Sequence, residues 1–491
     1  MTRYDGQIRQ LNPWWRGSTG IADDVHLRQR AEARFSWIPP ALEAIPLVPG
    51  STHTLRGPRQ VGKTTTLKTL LARVLERGER RVLYYSFDLQ RESQSIVEVV
   101  LRAKELHPDP SGPWYLFLDE VTSIPDWQMG VKYLWDQGTT RDDLVVCTGS
   151  SARQMGAEQL PGRRGDGRDF VQLPLSFRAF CRDALQLPLP SETVEVTDIP
   201  TTDGARLIRE YNLFATELDD AVARFLEVGG FPAAVQDAFA GAAPDSGPGP
   251  TGAGLGPVRE QTVRMLWDII AGDIQQAGRD KHSALKLLER VGVSLGAGVA
   301  WDSLREDMDV GSHNTAKEYT HLLSEAFMLL TVFYRDAHGS FAPDRQRKLY
   351  YIDPLVARIA PTLVPGARRH NADGLIENLV AVALYRSAAE ALTLADPLPG
   401  AIGYWKSADN REIDFLVSPP TGGRGTHFPV EVKGDSVKTI SGARLSIART
   451  FGRGVVVTRK RFDWKPDVPA VPLGVFLAAL GDRPQRMTGS L

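Results

Sequence analysis

The chain is poor in cysteine. Only Cys147 and Cys181 occur in 491 residues, both in apolar surroundings, which excludes a disulfide framework and fits a reducing cytosol. It lacks a signal-peptide apolar segment and any uninterrupted apolar run long enough to span a bilayer, so a cytoplasmic protein without a membrane partner is expected. It also lacks an excess of either charge: 58 basic against 59 acidic residues leave a formal charge of −1. That balance excludes a wholly basic nucleic-acid coat and leaves any such binding to local patches. Against these absences, the hydrophobic share of 42% is ordinary for a globular chain, and the length suits about three domains.

The most specific motif is Gly57-Pro58-Arg59-Gln60-Val61-Gly62-Lys63-Thr64, which fits the phosphate-loop pattern G-x-x-x-x-G-K-T between an extended apolar stretch and a helical run over 65–77. A strand-to-helix turn of this kind lets backbone N–H groups and the helix N-terminus converge on a phosphate chain. The loop residues 57–64 with Thr65 are therefore candidates to hold ATP. Lys63 would reach the β and γ phosphates, and the Thr64 hydroxyl would ligate Mg²⁺. A second motif follows at 114–120, an apolar run ending in Asp119 and Glu120, as expected of a strand buried in a parallel sheet with its carboxyl end at the ligand crevice. Asp119 is the expected partner of Mg²⁺, and Glu120 the group that polarises the attacking water.

A third strand over 144–148 runs into Gly149-Ser150-Ser151, which makes Ser150 the candidate γ-phosphate sensor with Thr148 behind it. The glycine-rich, basic stretch 160–168 reads as an exposed loop. From it Arg163 is the candidate arginine supplied to a neighbouring subunit's nucleotide, with a solvated basic turn as the equal alternative.

Strands and helices alternate over 51–200, with a further strand at 82–87, which predicts a doubly wound α/β sheet. Residues 1–50, with Leu11-Asn12-Pro13-Trp14-Trp15, form an arm expected to pack on that core. Helices over 201–240 are expected to form a lid, and 241–280 a Gly/Pro-rich linker followed by a connecting helix. Residues 281–360 read as three helices and two strands, the outline of a winged helix, with Ser312 as the N-cap of the third helix. Such modules put the third helix in a DNA groove or serve protein contacts. The acids Glu318 and Glu325 beside Lys317 leave both open.

Residues 361–491 carry a second constellation. An amphipathic helix begins near Gly374, and strands at 401–407, 411–417 and 427–433, a helix at 441–451 and a strand at 454–458 complete an αβββαβ core. Glu431 and Lys433 stand two apart on one strand and so share a face, with Asp414 on its neighbour and Glu377 on the preceding helix. Glu377, Asp414 and Glu431 are candidate ligands of a hard divalent cation. Lys433 is the candidate to position or deprotonate water, which makes Asp414, Glu431 and Lys433 a candidate catalytic set.

Taken together, GPRQVGKT, YLFLDE, TGSSA, LPGR, LPLSFRAF, FLEVGGFP and the pair REIDFLV and FPVEVKG resemble prokaryotic AAA-type (AAA+) ATPases with a C-terminal domain of unknown function. That C-terminal domain is similar to the PD-(D/E)xK, RecB-like, restriction-endonuclease-like nuclease fold. The resemblance implies an ATPase core, a winged helix and a nuclease-like domain, with Asp414, Glu431 and Lys433 on the nuclease motif and Glu377 on its helix acid. The chain departs from the pattern in its insertion at 241–257 and its longer arginine-rich loop at 163–168. The expectation is an ATP-dependent DNA-processing protein, a homo-oligomer with a hexameric ring as one form. Arg345, Arg347, Lys348, Arg459, Lys460 and Arg461 are candidates for phosphate contacts. Two alternatives stand beside it: a DNA motor whose last domain holds but does not cleave, and a nucleotide switch acting on protein partners.

Overall fold

The computed structural model describes residues 3–17, 21–109, 111–150, 167–240, 255–335, 345–387, 402–407, 411–418, 427–482 and 485–487. They divide into two compact units, Met1–Leu173 with Pro484–Leu491, and Pro174–Arg483.

The first unit is built on a six-stranded sheet. Strands β1 (Ser51–Arg56), β2 (Val82–Ser86), β3 (Tyr115–Asp119), β4 (Leu144–Gly149) and β5 (Asp169–Val171) run parallel in the order β5-β1-β4-β3-β2, and an antiparallel strand Gln485–Met487 extends the β5 edge. Alternate residues of each strand point to opposite faces. Leu83, Tyr85, Leu116, Leu118, Val145 and Cys147 pack with Ile96, Val100 and Val131 of the helices Gln94–Leu106 and Trp127–Asp136. Their neighbours Val82, Tyr84, Tyr115, Phe117, Leu144 and Val146 pack on the other side with Leu67, Leu70, Leu71 and Val74 of the helix Lys63–Glu76. Both faces of the sheet are therefore covered, as the continuous apolar runs require. Chain order reverses about β1, so the carboxyl ends of β1, β3 and β4 open on one crevice.

The N-terminal arm closes the free edge at β2. Asn12 donates to the Tyr84 carbonyl at 3.0 Å and accepts from the Tyr84 N–H at 2.7 Å, while the indoles of Trp14 and Trp15 donate to the Val82 carbonyl at 3.0 and 2.8 Å. The Asn-Pro-Trp-Trp run thus supplies side-chain partners to an edge that would otherwise invite pairing.

The second unit contains a mixed seven-stranded sheet. Strands β6 (Leu329–Arg335), β7 (Arg347–Tyr351), β8 (Ile402–Lys406), β9 (Glu412–Val417), β10 (Phe428–Lys433), β11 (Val455–Thr458) and β12 (Ala470–Pro472) lie in the order β12-β11-β10-β9-β8-β6-β7. Three helices precede β6: Lys281–Ser294, Trp301–Met308 and His313–Glu325, the last capped by Ser312, whose hydroxyl accepts from the Thr315 N–H at 3.1 Å. The hairpin β6–β7 does not stand apart as a wing, because β6 also pairs in parallel with β8 and joins the sheet of the last section. Arg347 and Lys348 are consequently buried in this sheet rather than displayed on a basic wing, whereas Arg345 is exposed. The helices Thr202–Asn212 and Ala215–Val228, expected as a lid, belong to this unit. Gly474 of the helix Leu473–Ala479 lies so close to them that a Cβ there would meet the Leu218 carbonyl oxygen at 2.8 Å.

Candidate functional site

The phosphate loop starts where β1 ends. A Cβ on Gly57 would sit 2.0 Å from the Gln172 carbonyl oxygen, and Gly62 holds φ at +85°, so both positions need glycine for physical reasons. Gln60 also adopts positive φ, and Val61 is fully buried as the anchor of the loop. Gln172 stitches loop to helix, donating to the Val61 carbonyl at 2.5 Å and accepting from the Thr66 hydroxyl at 2.9 Å. The helix Lys63–Glu76 opens with no side-chain cap on its first N–H groups. An uncapped start of a 14-residue helix beneath a loop of this shape fits a phosphate, with Pro58, Arg59, Gln60, Thr64 and Thr65 around the same turn.

Within this cradle the Lys63 ammonium, buried, donates to the Gly57 and Pro58 carbonyls at 3.0 and 2.9 Å and to the Ser150 hydroxyl at 2.9 Å. Ser150 in turn donates to Glu120 at 2.7 Å, and Glu120 lies 3.8 Å from the ammonium. Glu120 sits just past β3 in the left-handed region, at φ 51°, and its N–H donates to the Thr148 hydroxyl at 2.9 Å. A non-glycine residue in that region is uncommon and turns the side chain out of the strand direction. Asp119 accepts from three hydroxyls: Thr64 at 2.9 Å, Tyr84 at 2.9 Å, and Thr148. Burial foremost pushes the Asp119 carboxyl above its ordinary value, and the Thr148 and Thr64 hydroxyls oppose the rise.

The sequence-predicted nucleotide residues Gly57 to Thr65, Asp119, Glu120 and Ser150 therefore lie together, and Thr148 joins them. Sequence reasoning missed Tyr84 and Gln172, whose roles depend on partners 35 and 106 positions away. Arg163 lies outside the described residues. Hard oxygen donors are the natural environment of Mg²⁺, and the Thr64 hydroxyl and Asp119 carboxylate, one hydrogen bond apart, fit that ion.

In the second unit the helix Ala372–Ser387 brings Glu377 against the ends of β7, β9 and β10. Lys433 contacts Glu431 at 2.6 Å and Asp414 at 3.9 Å, so the four expected residues do gather at one place. They do not gather as an open ligand set. The Asp414 carboxylate accepts from the Val432 N–H at 2.8 Å, and Glu431 accepts from the Asp414 N–H at 3.1 Å. Glu377 accepts from the Tyr350 hydroxyl at 2.5 Å and from Lys348 at 2.9 Å. Among the described residues no group of three or more His, Cys, Asp or Glu is disposed to hold a metal ion. The expected ligands Glu377, Asp414 and Glu431 thus lie close together, with oxygens that face internal donors, but are not disposed as a metal-holding group.

Residues 50–181 match the family described as AAA domain. With the geometry of the loop, this match supports an AAA-type ATPase domain over that stretch, and such a domain implies ATP binding. No curated relative matches the chain. Among solved structures it is similar to the Aeropyrum pernix ORC1 protein in complex with DNA, at 15% identity over 70% of this chain and 97% of that chain, with a TM-score of 0.28. CDC6P from Pyrobaculum aerophilum is 15% identical over 67% of this chain and 87% of that chain, with a TM-score of 0.21. No helix among the described residues is long and apolar enough to cross a membrane.

Proposed function

We propose that the protein hydrolyses ATP and uses the cycle to act on DNA. The observation that carries the first half is the Ser150 hydroxyl bonded at once to Lys63 and to Glu120. It links the cation that would meet the β and γ phosphates to the acid that would orient water, and it holds both until a ligand competes.

Backbone N–H groups of 59–62 and the start of the helix Lys63–Glu76 bind the phosphate chain. Lys63 exchanges the Gly57 and Pro58 carbonyls for phosphate oxygens, which carry more negative charge. Thr64 and Asp119 would hold Mg²⁺, which would supply positive charge against the charge developing on the phosphate oxygens. Glu120, released from Ser150, accepts a hydrogen bond from the water that attacks the γ phosphorus, while Ser150 turns its hydroxyl to the γ phosphate. An arginine from a neighbouring subunit, with Arg163 as first choice, would make the competent unit an oligomer.

Support for the DNA half comes from the resemblance of residues 361–491 and from the exposed turn Arg459-Lys460-Arg461. That turn follows β11, which pairs in parallel with β10 and sets Thr458 beside Lys433. Lys460 and Arg459 meet Asp219 at 2.5 Å and Asp373 at 3.7 Å, weak surface pairs that a phosphate backbone can displace. The test is ATP turnover and DNA binding measured together over a salt series. The reading requires salt-sensitive DNA binding in ATP and Mg²⁺ and turnover that DNA accelerates. Turnover indifferent to every DNA form, with no salt-sensitive binding, would replace it with a nucleotide switch acting on proteins.

A further inference from the structure

The acid cluster of the second unit is organised around a residue that the nuclease-like motif does not contain. Lys348, on the edge strand β7, is wholly buried, and its ammonium lies 2.6 Å from Glu412, 2.9 Å from Glu377 and 3.4 Å from Asp414. Two strands, β6 and β8, separate β7 from β9 in the hydrogen-bonded order, so the side chain reaches across the sheet face to make these contacts. An ammonium has three protons to give and here meets three carboxylates. The ring of Tyr404 on β8 lines the same place, its centroid 5.4 Å from the nitrogen.

Lys433 faces Glu431, so four carboxylates stand opposite two ammoniums. Burial first, and then the charge of Asp414, pushes Glu377 up to about 7 and Glu431 up to about 8. Burial opposes the charge on Lys348, but Asp414, Glu377 and Glu412 overcome it and hold the ammonium above its ordinary value.

A divalent ion held by Glu377 and Asp414 needs their oxygens at roughly 2.0–2.6 Å. The ammonium already occupies the space between the same two side chains, at 2.9 and 3.4 Å from them. A divalent ion there would have to share those carboxylates with the ammonium, against the repulsion between two cations at short range. We propose that Lys348 is a built-in counter-ion standing where a divalent cation would stand among Glu377, Glu412 and Asp414, so that this cluster takes up no metal and cleaves no phosphodiester. The cluster is a structural clasp between β7, β9 and the helix Ala372–Ser387, and Lys433 neutralises Glu431 rather than activating water. This inference does not depend on the DNA reading, since it concerns the cluster alone.

The test uses the full chain without nucleotide, in an Asp119→Asn background so that the ATP site contributes no ion. Binding of Mn²⁺ is followed by electron paramagnetic resonance, and nicking of supercoiled plasmid is followed in parallel. The expected result is no Mn²⁺ retained and no nicking with Lys348 in place, and Mn²⁺ uptake by Lys348→Met that disappears again in Lys348→Met/Asp414→Asn. Mn²⁺ held with Lys348 in place and released by Asp414→Asn would overturn the proposal. So would a folded Lys348→Met variant that takes up no Mn²⁺. Should Lys348→Met fail to fold, the comparison with Asp414→Asn still decides.

Discussion

Each unit buries one lysine at the centre of its polar chemistry, and the two are held in opposite ways. Among the partners of Lys63 are two backbone carbonyls and one hydroxyl, all neutral, and the Glu120 carboxylate stands 3.8 Å away. Lys348 is enclosed by three carboxylates at 2.6–3.4 Å and has no exposure at all. Neutral partners are weaker than charged ones, so a phosphate can draw Lys63 away from them. Nothing comparable can draw Lys348 from three carboxylates. A buried lysine among neutral oxygens awaits a ligand, whereas one among carboxylates has already found its own.

The largest effect expected from breaking this comparison is on catalysis. Lys63→Ala and Glu120→Gln should each lower ATP turnover by roughly a hundredfold or more, the scale of losing one preorganised group at a charged transition state. Glu120→Gln should keep ATP binding, which fluorescent-nucleotide titration would check; equal loss of binding in both would place Glu120 in the binding site only. The next effect is on stability. Lys348→Ala leaves the buried Asp414 and the half-buried Glu377 and Glu412 without their cation and should cost about 3 kcal/mol in denaturant unfolding, the lower end of what removal of one partner from a buried ionic group costs. Lys63→Ala should cost less, because Glu120 is partly exposed and keeps its hydrogen bond from Ser150.

A smaller effect follows from Asp353, wholly enclosed and pushed up to about 6 by burial, against hydrogen bonds from the Leu355 and Gly230 N–H groups. Its proton is bound more tightly in the folded state, so its contribution is full below the unfolded pKa and is lost as pH rises through about 6. The melting temperature should show that fall between pH 4 and 6, and Asp353→Asn should flatten it. Smallest is the thiol response. Burial pushes Cys147 up to about 12 and Cys181 well above its usual range, so neither should react with a disulfide reagent at pH 8 until the chain unfolds.

How much of this the sequence disclosed follows from distance along the chain. Lys63 and Thr64 are adjacent, Asp119 and Glu120 close a single apolar strand, and Ser150 ends another, so a parallel sheet was enough to bring them together. The gathering of Glu377, Asp414, Glu431 and Lys433 was legible for the same reason, through period-two strands and one helix. Lys348 was not. It stands 66 positions before Asp414 in a stretch that reads as an exposed basic wing, and only the pairing of β6 with β8 turns that hairpin into the sheet. Asn12, Tyr84 and Gln172 were hidden likewise, because an ordinary polar residue gains its meaning from a partner dozens of positions away.

The most direct test incubates the wild-type protein with labelled ATP and plasmid DNA in Mg²⁺ and follows phosphate release and DNA integrity in one reaction. The account predicts phosphate released, lost in Lys63→Ala, while the DNA backbone stays intact throughout. Strand breaks that vanish in Asp414→Asn but persist in Lys63→Ala would contradict it, because they would place working metal chemistry where Lys348 stands.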